Sequence, residues 1–155
     1  MTSAMQPTII SDTSCLILLD KVEELDLLKK LFGRVVTTKT VAIEFGEALP
    51  EWINIQEPND KINQLVLETS LDKGEASAIA LAMEQNDCLL IIDELKGRKL
   101  ARQLGLNITG TLGVIADAKI REHITSIKPL LQKIRQTNFR LSESLEKAIL
   151  KQVGE

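Results

Sequence analysis

The run "CLLII" at residues 88–92 constrains this chain more than any other stretch. A strand that is apolar on both sides of its pleat must be covered on both faces, as happens at the centre of a parallel sheet. The chain around it alternates between strand-like and helix-like pieces. "TIIS" (8–11), "RVVTT" (34–38), "WINIQ" (52–56) and "NITGT" (107–111) read as further strands. Between them, "VEELDLLKKLFG" places Val22, Leu25, Leu28 and Phe32 on one helical face, with Gly33 as the stop. "TVAIEFGEAL", the segment after Pro58, "DKGEASAIALAMEQ", "ELKGRKLARQLG" and "LGVIADAKIREHI" read as helices too, and a tail of two helices breaks near Asn138. Strands alternating with helices predict an α/β fold, a three-layer α/β/α sandwich with a mostly parallel sheet.

No linker, low-complexity tract or internal repeat interrupts the 155 residues, which suffice to bury a core. One domain over 1–155 is expected, with 124–155 as its C-terminal helices. Apolar residues make up 44% and charged residues 26%, the balance of a soluble globular protein. No run reads as a secretory leader or a membrane span. Cys15 and Cys88 both lie in apolar runs, so two buried free thiols are expected, in keeping with a reducing cytoplasm. Three Phe, one Trp and no Tyr argue against a base-stacking platform. Residues 1–95 carry seven Lys/Arg against seventeen Asp/Glu, whereas 96–155 carry twelve against five. That asymmetry suits a cation site beside a polyanion track, although solvated faces that differ in sign would produce it as well.

Ligands of open parallel sheets bind beyond the carboxyl ends of the strands. Asp12 follows "TIIS" and Asp93 follows "CLLII"; Glu75 opens a helix, and Glu44 lies in the helix after "RVVTT". Were all four to converge, each like-charged pair at about 4 Å would cost roughly 4 kcal/mol at an effective dielectric near 20. Such a cluster needs protons, basic partners or a cation, and oxygen-only ligation points to Mg²⁺ or Mn²⁺. Each acid also has a structural explanation. Asp12 and Asp93 suit helix N-caps, Asp72 and Glu75 fit a capping box, and Glu44 suits a solvated face.

The order of these acids resembles that of PIN-domain nucleases, in particular the VapC-like branch. The matching stretches are "IISDTS", "VAIEF", "DKGEASAIALA" and "LLIIDELKGRKLARQLGLNITGTLGVI", together covering Thr8 to His123. The resemblance implies that Asp12, Glu44, Glu75 and Asp93 are catalytic, with Asp12, Glu75 and Asp93 as metal ligands. Thr13 or Ser14 would supply a hydroxyl that hydrogen-bonds within the site. Many members carry a further acid or Asn a few residues past the fourth; here Glu94 follows Asp93 directly and is the candidate for that ligand. The implied activity is Mg²⁺- or Mn²⁺-dependent cleavage of RNA by the toxin of a toxin–antitoxin pair, with a small antitoxin as partner. The basic run Lys96, Arg98, Lys99 and Arg102 lies where it would meet RNA phosphates, and Lys99 and Arg102 share a helical face.

Other chemistries have less behind them. His123 stands alone and the cysteines lack ligand spacing, which argues against zinc and against a Ser–His–Asp scheme. No P-loop occurs, and "TGTLG" is a strand-to-helix turn without the dinucleotide fingerprint. Two alternatives stay open: a receiver-type signalling domain with an acidic Mg²⁺ pocket, and a PIN-like scaffold without catalysis. For the scaffold, Leu141, Leu145 and Ile149 form a stripe suited to the chain's own core or to a second copy in a homodimer or higher oligomer.

Overall fold

A computed structural model describes residues 6–155. Five strands, β1 (Thr8–Ser11), β2 (Val35–Thr37), β3 (Ile53–Ile55), β4 (Cys88–Ile91) and β5 (Asn107–Thr109), form an all-parallel sheet in the order β3-β2-β1-β4-β5. Nine helices pack around it among the described residues: α1 (Thr13–Lys21), α2 (Asp26–Phe32), α3 (Lys39–Phe45), α4 (Lys61–Leu67), α5 (Lys73–Met83), α6 (Leu95–Gln103), α7 (Thr111–Ile120), α8 (Lys128–Arg135) and α9 (Glu143–Gln152).

The strand alternation divides the interior into two cores. Ile9 and Ile91 point to one face, where they meet α1, α2, α7, α8 and α9. Ile10, Leu90 and Ile92 point to the other, against α5 and α6 with Leu67 of α4. The "CLLII" run is therefore buried from both sides, and the three-layer sandwich follows. β1 and β4 are paired from Thr8↔Cys88 to Ser11↔Ile91. The chain moves outward from β1 to β3, then returns across β1 to β4 and β5. The crevice between the carboxyl ends of β1 and β4 is thus the topological switch point, the place where such sheets bind ligands.

Two helix boundaries differ from expectation. The helix expected from Val22 to Gly33 is shorter, Asp26–Phe32, and a separate helix that the sequence does not announce precedes it. α1 begins at Thr13, capped by Asp12, and buries Cys15, Leu16, Leu18 and Leu19. Val22 completes that stripe as the end of α1, not the start of the next helix. Glu23 then takes a left-handed conformation, and α2 buries Leu27, Leu28 and Leu31, while Leu25 and Phe32 of the expected face pack half-buried against the same core. Gly33 is the stop, with φ 75° and its N–H bonded to Lys29 O. The helix expected to run through "TVAIEFGEAL" ends at Phe45, because Gly46 adopts φ 83° and closes α3 on Ala42 O.

Both cysteines are buried and free. His123 is exposed beyond the end of α7. In the Leu141–Leu145–Ile149 stripe, Ile149 reaches the main core while Leu145 stays exposed. Among the described residues no helix is long and apolar enough to cross a membrane.

Candidate active site

The β1–β4 register decides the site. Asp12 follows β1 directly and its N–H bonds to Ile91 O at 3.0 Å, so Asp12 and Asp93 emerge side by side at the switch point. Asp12 caps α1, accepting from Cys15 N at a long 3.5 Å. Its side chain is 1% exposed, and Oδ2 meets no hydrogen-bond partner. Burial, then the Asp93 carboxylate beside it, pushes the Asp12 carboxyl up to about 8; the Cys15 N–H opposes this only in part.

Glu75 enters from the first turn of α5. It too is buried, with Oε2 unpartnered. Burial, the hydrogen bond with Asp72 and the charges of Asp72, Asp12 and Glu94 push it up to about 8. Two orphaned carboxylate oxygens in one crevice are costly, since each gives up solvation without a partner.

Asp93 is held differently. Thr111 donates its backbone N–H to Oδ1 at 2.7 Å and its hydroxyl to Oδ2 at 2.6 Å. Asp93 thus serves the start of α7, not the helix that follows it, where Glu94 takes the N-cap position. Glu44 is exposed on α3 and accepts the Thr13 hydroxyl at 2.5 Å. Of the two expected hydroxyls Thr13 engages an acid, whereas Ser14 faces outward.

Three glycines let these acids lie close to the backbone. A Cβ on Gly74 would run into the Glu44 carboxylate and stand 2.8 Å from Thr13 Oγ1. One on Gly97 would be 2.5 Å from Glu75 Oε2, and one on Gly110 would be 2.9 Å from Asp93 Oδ1. Each helix start or turn therefore lacks a side chain at the spot an acid occupies.

A family model described as PIN domain matches residues 8–155, nearly the whole chain. The chain belongs to the PIN-domain family. No curated protein matches the sequence. PIN domains are generally nucleases, and a nuclease-type fold is what the sheet and its acidic rim present. The receiver-type alternative falls with this assignment, and the strand order agrees: the flavodoxin-like arrangement is 2-1-3-4-5, not the 3-2-1-4-5 observed.

In this PIN domain the acids fit a hard cation by chemistry: all the donors are oxygens, and two of the oxygens are buried without partners. The side chains are not drawn into a ligating array, since among the described residues no three His, Cys, Asp or Glu groups are placed to hold a metal ion. Glu94 is exposed, and its charge adds to the rise at Glu75.

Of the basic run, Lys96, Lys99 and Arg102 are exposed on α6. Arg98 donates Nη1 to Ile92 O at 2.8 Å and so helps fix the end of β4 beside Asp93.

Thr111 and the three glycines belong to the site without being marked as such in the sequence. Asp72 is legible there only as a cap, and it is one, accepting from Glu75 N at 2.9 Å. Its charge, with those of Asp12 and Glu94, also raises Glu75. Thr111 had a signal in "TGTLG", a hydroxyl at the start of a helix beside a sheet edge.

Proposed function

We propose that this PIN domain is a Mg²⁺- or Mn²⁺-dependent endoribonuclease of the VapC-like kind, acting in the cytoplasm as the toxin of a toxin–antitoxin pair. The observation that carries the reading is the pair of orphaned, buried oxygens on Asp12 and Glu75, beside Asp93 at the switch point of the sheet. Asp12, Glu75 and Asp93 would hold the ion, with Glu94 as a further ligand. A divalent ion bound there would make a water more acidic and offset charge on the phosphoryl oxygens.

The protein's own groups do the rest. Thr13 holds the Glu44 carboxylate, which would orient a water. Thr111 fixes the rotamer of Asp93 so that its position does not depend on the substrate. Lys96, Lys99 and Arg102 offer charge to the phosphates, and Arg98 secures the strand end beneath them. Cleavage in this way would leave 5′-phosphate and 3′-hydroxyl ends.

A protein partner, whether a small antitoxin or a second copy in a homodimer, finds support in the apolar side chains that α4 leaves uncovered. Ile62, Leu65 and Val66 are all more than 60% exposed. The scaffold reading keeps one observation in its favour, the lack of a ligating array.

The deciding experiment is cleavage of a labelled RNA pool with Mn²⁺, Mg²⁺ or chelator. Wild type is compared with Asp12→Asn and Asp93→Asn. Cutting that needs the metal and fails in both variants supports the reading. Cutting that resists chelator, or full activity in both variants, rejects it.

A further inference from the structure

A groove leaves the acid site along α1 and changes character as it goes. Two adjoining hollows, of about 360 and 640 Å³, share Lys21 and Asn138. The nearer one begins at Thr13 and Ser14, the two residues after Asp12, and passes Ile17 to reach Phe139. Thr13, Ile17 and Lys21 are spaced four apart, so they form one line on the helix. The farther hollow carries the line on to Lys133. Lys21 Nζ is turned into the groove, donating to Asn138 Oδ1 at 3.3 Å. Among the described residues neither Lys21 nor Lys133 makes an ion pair, and Glu23 is the only acid in the lining.

We propose that this groove binds single-stranded RNA flanking the scissile bond, with phosphates at Lys21 and Lys133 and a single base against Ile17 and the half-buried Phe139, one contact and no stacking platform. The proposal rests on the nuclease reading, and it adds a second track to the one on α6. α6 packs on one face of the sheet and α1 on the other, with the acids at the rim between them. A polyanion crossing that rim gains nothing from the acids themselves, so it must be gripped on either side. Cations on one side only would bind an end, whereas cations on both sides hold a strand across the cut. The lining suits a nucleotide chain: unpaired ammonium groups for phosphate, side-chain amides of Gln136 and Asn138 for polar edges, and an apolar wall for a ring face.

The test is fluorescence anisotropy of a labelled 12-nucleotide oligouridylate, in chelator to prevent cutting, over a range of salt. A Lys21→Gln/Lys133→Gln double variant should lose about 1.4 from the slope of log affinity against log salt, two single-strand phosphate contacts at roughly 0.7 each. Phe139→Ala should weaken binding with the slope unchanged. Glu23→Gln should tighten it, and Lys29→Gln/Lys30→Gln on α2 should match wild type. Binding by the double variant with the wild-type slope overturns the proposal and leaves the groove to a protein partner. The two readings separate cleanly. If wild type cuts RNA with Mn²⁺ while the double variant binds unchanged, the groove fails and the nuclease stands. If wild type binds through Lys21 and Lys133 but never cuts, the groove stands and the nuclease fails.

Discussion

Thr111 binds Asp93 twice: its backbone N–H reaches one carboxylate oxygen at 2.7 Å and its hydroxyl reaches the other at 2.6 Å. The two residues lie eighteen apart in sequence, at the end of β4 and the start of α7. The pair joins neighbouring strands of the sheet through a side chain, and it gives an acid at the site an orientation that is independent of any ligand. Thr111 is fully buried, so no water replaces its hydroxyl when it is lost.

Thr111→Val keeps the shape and removes one of the two bonds. Hydrogen bonds to charged groups contribute about 1.5–3 kcal/mol, and a loss of that order is expected in urea denaturation. RNA cleavage should fall by at least tenfold, while Thr111→Ser should restore most of both.

Gly97→Ala should separate activity from stability. The new methyl group would stand 2.5 Å from Glu75 Oε2 and 2.7 Å from Ile92 Cδ1, both of them ends of side chains that can turn away. Ala gains about 1 kcal/mol over Gly in a helix, against an overpacking cost of roughly 1–3 kcal/mol. The net change in stability should therefore lie between none and a loss of about 2 kcal/mol. Cleavage should drop at least tenfold, because the group that moves is Glu75.

Asp12 and Glu75 make the metal-free protein sensitive to pH. Both carboxyls rise from ordinary values to about 8. Between about pH 4 and 8 the folded state then holds more protons than the unfolded state, so stability falls as pH rises. In chelator, Tm should decline from pH 5 to pH 8.5. Asp12→Asn and Glu75→Gln should flatten that decline and melt higher than wild type at pH 8.5, by about 2–4 °C for each kcal/mol recovered. A bound divalent ion acts in the same direction, so added Mn²⁺ should raise Tm most at high pH.

The thiols should be silent until the protein opens. Cys15 has no solvent exposure, and burial pushes its thiol well above the usual range. Cys88 is 7% exposed and is raised as well. Ellman's reagent should leave Cys15 unmodified in native protein and label both on unfolding.

The sequence by itself determined the layers and the candidate acids. Burial on both faces is written into "CLLII", the strand–helix alternation is local, and an acid straight after a strand lands at the carboxyl edge whatever the remaining packing does. It also carried the stop at Gly33, where the turn needs a left-handed backbone. The boundary at Val22 was harder, because an apolar residue closing one helical stripe looks the same as one opening the next.

Only the tertiary structure decided which oxygens are left without partners, which hydroxyl holds Asp93, and which glycines clear space for acids from other elements. Lys21 and Asn138 meet across 117 residues, and nothing near either one announces the other. The physical reason is the range of the forces involved. Periodicity and chain stiffness act over a few residues and can be read along the chain, whereas desolvation, charge coupling and close contact depend on what the fold brings alongside.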